Sequence, residues 1–348
     1  MPEKFKNCAI FSGGGTRMMI YLGIFAALEE LGKKPDLLIA SCGGAFAATV
    51  INNFSDNFSR KEYLKSEEYF EFVRKTRLTK EKKLSKIGCL TLKKVLDKLS
   101  AFYIEDVFEK YLVEMNQDLS ADFPTLKNVE FSKEIPTIII GSKILFNPNE
   151  TGQKRENRKL YQKIIFTGSE TAKKINPEKV IIHSENYKKS AVEISPEIRT
   201  NVPLLTSCRI SVSDMFYVEP VRFQNENFAG GAIDLVPIEL ANHLAENIFI
   251  EKKQSYNKIE ESFVRTVLGF SGNERLHEIQ QQFNGFQIDT TDIKQKLDGH
   301  YLKKIINWQK MEIGFTLPKN YQQFQIDMEK QWKYGYEKTL KIHKNEFL

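Results

Sequence analysis

The chain has 348 residues, 41% hydrophobic and 11% aromatic, enough to build a sizeable core in one large domain or a domain with an appended subdomain. A net charge of +6 is too modest to mark a nucleic-acid binder. The four cysteines (Cys8, Cys42, Cys89 and Cys208) are far apart, with no CxxC and no metal spacing. That argues against a disulfide scaffold or a metal module and for reduced thiols in a cytosol-like compartment.

Met1 to Lys6 lacks the apolar stretch of a signal peptide. Residues 7–11 read as a short buried strand, Ser12 to Thr16 as a turn, and Arg17 to Leu31 as a helix closed by Gly32. The apolar run Met18 to Leu28 is too short to span a bilayer and reads as a buried helix. A second strand, 37–40, enters a turn of small residues, and a helix leaves over 45–51. This alternation predicts an α/β fold that starts with a parallel sheet. Residues 59–118 read as a helical insertion. Further strands are expected at 135–140, 143–146, 163–166 and 180–183. From residue 252 the chain reads as mostly amphipathic helix, broken near Gly269 to Gly272 and at Leu317-Pro318. The expected division is an α/β domain over 1–251 and a mostly α-helical C-terminal extension over 252–348.

Three segments carry chemistry. In the first, Gly13-Gly14-Gly15 with Arg17 lies between a strand and a helix, where backbone N–H groups and a helix N-terminus can hold an anion. It lacks the third glycine of a dinucleotide fingerprint, and there is no P-loop lysine, so no nucleotide cofactor is expected. The bland alternative is a turn that only lets strand and helix pack. The second segment is Ala40-Ser41-Cys42-Gly43-Gly44, which has the outline of a nucleophile elbow. A buried structural cysteine is its plain alternative. The third is Ala229-Gly230-Gly231, followed by Asp234 and Pro237.

In order and spacing these segments resemble the patatin-like phospholipase family. The resemblance covers residues 7–55 and 200–245 well and the intervening strands loosely. It implies a patatin-like three-layer, parallel-sheet α/β core and a lipid acyl hydrolase of phospholipase A or lysophospholipase type, or an acyltransferase, with a phospholipid or other acyl ester as substrate; no metal site is visible in the sequence. It also implies an oxyanion hole at Gly13, Gly14, Gly15 and Arg17, a nucleophile at position 42 and a catalytic Asp at position 229. Here those last two positions hold Cys42 and Ala229.

Losing a member of a hydrolytic triad costs about 10⁴ or more in rate. A serine without a base would be nearly inert, whereas a cysteine at a helix N-terminus is expected to be partly ionised unaided. Cys42 could then form a thioester, with deacylation by water the impaired step. Asp234, Asp214 and His243 are the candidate substitute bases, although an Asp also accompanies the catalytic one in the family at the position of Asp234. His243 also reads as a polar position on an amphipathic helix. Three readings stay open at this stage: a slowed enzyme working through Cys42, a lipid-binding or scaffolding pseudoenzyme, and an engineered inactive form of a Ser–Asp enzyme.

Residues 72–98 carry a net charge of +8 interleaved with leucine, isoleucine and valine. Such a segment can lie on an anionic membrane, making the protein cytoplasmic with peripheral membrane contact, or it can be a solvated helical face.

Overall fold

The computed structural model describes residues 3–13, 17–86, 94, 101–252 and 254–345. Its centre is a mixed sheet. Five strands run parallel in the order β11 (Phe286–Ile288), β10 (Ala245–Glu251), β1 (Phe5–Ser12), β2 (Leu37–Ser41) and β5 (Thr137–Ile144). Beyond β5 the direction reverses: β6 (Tyr161–Thr167) pairs antiparallel with β5, and β7 (Val192–Arg199) parallel with β6. A hairpin of β8 (Val221–Phe223) and β9 (Glu226–Ala229) attaches through β9 to β5. The short strands β3 (Arg77–Leu78) and β4 (Val113–Glu114) form a separate ribbon.

Both faces of the sheet are covered, so its strands are continuous apolar runs whose successive residues enter opposite cores. Ala9, Phe11, Leu38, Ala40 and Ile139 belong to one core. Cys8, Ile10, Leu37, Ile39, Ile138 and Ile140 belong to the other. Helices α1 (Met18–Glu30), α2 (Gly43–Asn53) and α5 (Leu204–Ser211) contribute to the first. Helices α6 (Ile238–Leu244), α7 (Lys258–Leu268) and α8 (Gly272–Gln282) contribute to the second. The core is therefore the three-layer α/β arrangement expected.

Helix α1 is buried from Met18 to Leu28 because α9 (Tyr321–Asn345) lies across it. The two backbones approach so closely that a Cβ on Gly23 would sit 2.1 Å from the Trp332 carbonyl, and one on Gly335 2.2 Å from that of Ile20. The apolar run at Met18 is thus an internal helix. No helix among the described residues is long and apolar enough to cross a membrane.

Some expected elements differ. The strands expected at 135–140 and 143–146 are one strand, β5, which continues through Gly141 and Ser142 between β6 and β9. The strand expected at 180–183 is absent: a 3-10 turn runs from Pro177 to Val180, and the next strand is β7, further along the chain. Pro196 lies inside β7, which is tolerated because β7 is at the sheet edge. The insertion is helical at its start, in α3 (Asn57–Leu64) and α4 (Glu67–Lys75), and then becomes ribbon and irregular chain. The C-terminal region has the expected helices and breaks, but it also supplies β11 to the central sheet and a hairpin of β12 (Lys304–Asn307) and β13 (Glu312–Phe315). The expected boundary at residue 251 falls between two neighbouring strands of one sheet.

Candidate active site

Strand β2 ends at Ser41, and α2 begins at Gly43. Cys42 joins them at φ 50°, ψ −127°, a left-handed conformation that non-glycine residues hold only under constraint. The constraint comes from both sides. The Cys42 N–H donates to Ser211 Oγ at 2.9 Å, and that hydroxyl donates to the Ile140 carbonyl at 2.6 Å. The thiol is thereby lifted to the carboxyl edge of the parallel strands, at the N-terminus of α2, where helix polarity favours negative charge.

Cys42 Sγ lies 3.2 Å from Oδ1 and 3.0 Å from Oδ2 of Asp214. Asp214 follows α5, in a turn whose carbonyl accepts from the Tyr217 and Val218 N–H groups. Its Oδ1 also accepts from the Ala232 N–H at 3.1 Å. Burial pushes the Asp214 carboxyl up to about 6, against the opposing pull of the thiol and the Ala232 N–H. The result is a carboxylate more basic than an ordinary aspartate, within hydrogen-bond reach of a thiol.

Glycine at position 230 is what allows this. Gly230 donates its N–H to the Ser213 carbonyl at 2.7 Å. A Cβ there would fall 2.2 Å from Asp214 Oδ1 and 2.6 Å from the Asp214 nitrogen. The preceding residue, Ala229, closes β9 opposite Ser142 and is fully buried. The segment carrying Ala229 and Gly230 therefore packs against Asp214, and the carboxyl group beside the thiol comes from the turn after α5.

Asp214's turn is braced from below. Arg209, fully buried in α5, donates to the carbonyls of Asn116 at 2.6 Å, Met115 at 3.1 Å and Glu219 at 3.2 Å, and to Ser213 Oγ. Burial lowers its guanidinium to about 10. Tyr256, in the segment after β10, is buried near enough for the charges of Cys42 and Asp214 to add to the effect of burial in raising its phenol.

The other two candidate bases are elsewhere. Asp234 is buried and ion-paired with Lys163 at 3.0 Å and Arg275 at 3.5 Å, and Arg275 also holds Glu239 at 2.5 Å. It ties β6 to α6 and α8. His243 Nε2 lies 3.2 Å from both the Asn176 N–H and the Lys174 carbonyl. Neither contacts Cys42.

Of the glycine turn, Gly13 is described; Gly14 and Gly15 lie outside the described residues. Gly13 has φ +72° and donates its N–H to the Ser41 carbonyl at 3.0 Å, which moors the turn beside the elbow. At the far end of the turn, the Arg17 guanidinium is ion-paired with Glu251, the last residue of β10. Glu251 is buried and also accepts from Tyr21 Oη at 2.9 Å and from Thr290 Oγ1. The same Tyr21 hydroxyl is 3.0 Å from the Gly13 carbonyl. Arg17 thus anchors the turn to a neighbouring strand.

Glu251, Arg209, Ser211 and Tyr256 were not singled out from the sequence. Each acts through a tertiary contact, and only the apolar run before Glu251 hinted that a buried acid needed a partner. The remaining described cysteines are different in kind: Cys8 and Cys208 are fully buried, and burial raises both thiols, Cys208 to about 12. Cys89 lies outside the described residues, as do 87–93 and 95–98 of the basic segment. In its described part Arg74, Lys82 and Lys86 pair with Glu71, Glu312 and Glu81. Lys94 is buried and bound to Glu105 at 3.0 Å. No cluster of potential metal ligands occurs among the described residues.

A three-layer α/β core with an elbow at the carboxyl edge of its parallel strands, beside a glycine turn, defines the class: an α/β fold of the acyl-hydrolase type. The chain belongs to the patatin-like phospholipase family, whose model matches residues 9–242. The family's chemistry is lipid acyl hydrolysis, and its substrates are lipids. Among solved structures the chain is similar to VipD from Legionella pneumophila, at 10% identity and a TM-score of 0.36, over 99% of this chain and 67% of that one. No curated protein sequence matches it.

Proposed function

We propose that the protein is a lipid acyl hydrolase that works through a Cys42–Asp214 dyad. The observation that carries this reading is the 3.0 Å approach of Asp214 Oδ2 to Cys42 Sγ. Asp214 takes the thiol proton as sulfur attacks the acyl carbonyl carbon. The oxyanion forms at the glycine turn and the N-terminus of α2. The intermediate collapses to a thioester, and the departing alkoxide takes the proton from Asp214. A water molecule then gives a proton to Asp214 and attacks the thioester. The thiolate leaves, recovers that proton and is ready again.

A carboxylate at this place supplies the base that deacylation by water needs, which favours turnover over an inert pseudoenzyme. Whether water or another acyl acceptor takes the acyl group is read from the products. Peripheral contact with an anionic lipid surface belongs to the same proposal.

The test is labelling by an activated acyl ester or a fluorophosphonate, followed by assay on phospholipid vesicles. Cys42 is expected to carry the adduct, and Cys42→Ala to abolish both adduct and release of fatty acid. An adduct elsewhere, or hydrolysis that survives Cys42→Ala, would sink the dyad.

A further inference from the structure

Ten large hydrophobic side chains are prominently exposed among the described residues, and five of them fall within 305–317: Ile305, Ile306, Trp308, Met311 and Leu317. They belong to the β12–β13 hairpin and the chain just after it. Ile305 and Ile306 are adjacent in β12 and so face opposite sides of the ribbon. Both are over 40% exposed, so each face of β12 leaves an apolar side chain in solvent. Trp308, at the turn, is 69% exposed.

The hairpin is set among cations. The basic stretch 77–86 runs beside it: Lys83 bridges Glu312, the Leu84 N–H donates to the Met311 carbonyl at 2.8 Å, and Lys82 pairs with Glu312 at 3.3 Å. Residues 77–86 and 303–312 together hold eight basic and two acidic residues, a net +6 equal to that of the whole chain. An apolar tip bearing an exposed tryptophan inside a lysine collar fits the boundary of an anionic bilayer, where the indole sits at headgroup depth and lysines meet lipid phosphates. An acidic protein surface would satisfy the lysines and leave Trp308 and Met311 in water.

A pocket of about 720 Å³ lies at the base of this hairpin. Its lining includes the exposed Ile305 and Leu317, the buried Tyr69, Val73 and Phe324, and Met18, the residue after Arg17. The hairpin also touches the turn that carries Asp214: Lys304 Nζ sits 4.3 Å above the Tyr217 ring, and Phe315 packs against Leu112, Val113 and Val218.

We propose that the β12–β13 hairpin is the element that docks this protein on an anionic lipid surface, with Trp308 and Met311 entering the interface and the pocket mouth opening onto the acyl chains. The proposal deepens the reading of the protein as a lipid acyl hydrolase and moves the main contact away from the segment 72–98 taken alone.

The test uses the full chain as Cys42→Ala, so that binding is measured without chemistry. Vesicles of phosphatidylcholine with 30% phosphatidylserine (about that fraction, chosen to mimic an anionic leaflet) are compared with phosphatidylcholine alone. Binding is expected on the anionic vesicles, weakened at least about tenfold by Trp308→Ser with Met311→Ser at unchanged melting temperature. In a Trp332→Phe background, Trp308 emission is expected to shift to the blue on anionic vesicles only. Equal binding by parent and double variant, or no emission shift, overturns the proposal. So does a hairpin-dependent dimer with no vesicle binding, which would assign the face to a second copy. Hairpin-dependent vesicle binding by a protein whose Cys42 resists every acyl probe would instead leave the docking surface standing and sink the dyad.

Discussion

Cys42 Sγ and Asp214 Oδ2 are 3.0 Å apart although 172 residues of chain separate them. Thiol and carboxyl are brought together by β2 and by the turn after α5, both held against β5: Leu38 to Ser41 pair with its strand, and Ser211 bonds the Ile140 carbonyl. A thiol next to a carboxylate whose proton is held until about pH 6 gives the site a definite pH response.

In the proposed dyad, acylation needs Asp214 ionised. The rate of Cys42 labelling and kcat/KM for ester hydrolysis should therefore rise with pH through a limb near 6. The profile from pH 4 to 9 checks this. A limb at the ordinary aspartate value, or a flat profile, would remove Asp214 from the mechanism.

Asp214→Asn should slow hydrolysis by about 10³ or more while making the protein more stable at neutral pH. The sign follows from the raised carboxyl. Folding favours its protonated form, so its stabilising contribution is fully present below about 3.8 and is lost as pH rises through about 6. Ionised at pH 7, Asp214 costs the fold on the order of 3 kcal/mol, which asparagine avoids while still accepting from Ala232. Thermal melts at pH 4 and pH 8 measure it: the variant's advantage should be confined to the higher pH.

Gly230→Ala should cost about 1–3 kcal/mol and at least about 10² in rate, because its methyl would occupy the place of Asp214 Oδ1. The accompanying signature is in the pH profile. Once Asp214 is displaced, the limb near 6 should vanish. A slower enzyme that keeps the same limb would mean the loss lies elsewhere.

Glu251→Gln removes the charge that holds Arg17 and the end of the glycine turn. Labelling of Cys42 should slow by about 10–100-fold, with a stability loss of about 1–3 kcal/mol. A double-mutant cycle with Arg17→Met tests whether the two act as one unit. Additive effects would mean that the turn does not depend on the pair.

The glycine turn, the elbow and the first βαβ unit were legible in the sequence because local rules set them: an apolar run, small residues and a helix at fixed spacing. Asp214 stood among three candidate bases because nothing in Ser211-Val212-Ser213-Asp214 announces a catalytic turn. Its position comes from α5, the buried Arg209 and the approach of Gly230. Asp234, first among the candidates on sequence, is instead neutralised by Lys163 and Arg275 in the interior. Strand β7 was hidden by Pro196, which only an edge position permits, and β11 by a run of three residues too short to display a period. Lys94 was counted with a basic surface, but burial against Glu105 takes it out of that set.

The missing side chain at Gly230 has a consequence for how such chains are sorted. The space it leaves admits both the Asp214 carboxylate and the backbone of its turn, so a carboxylate need not come from the position before Gly230 to stand beside the thiol. An acid can leave one loop and arrive from the next while the elbow, the sheet edge and the glycine stay put. Whether a chain of this kind is counted among the silent relatives should then turn on what occupies that space in three dimensions, not on the letter before Gly-Gly.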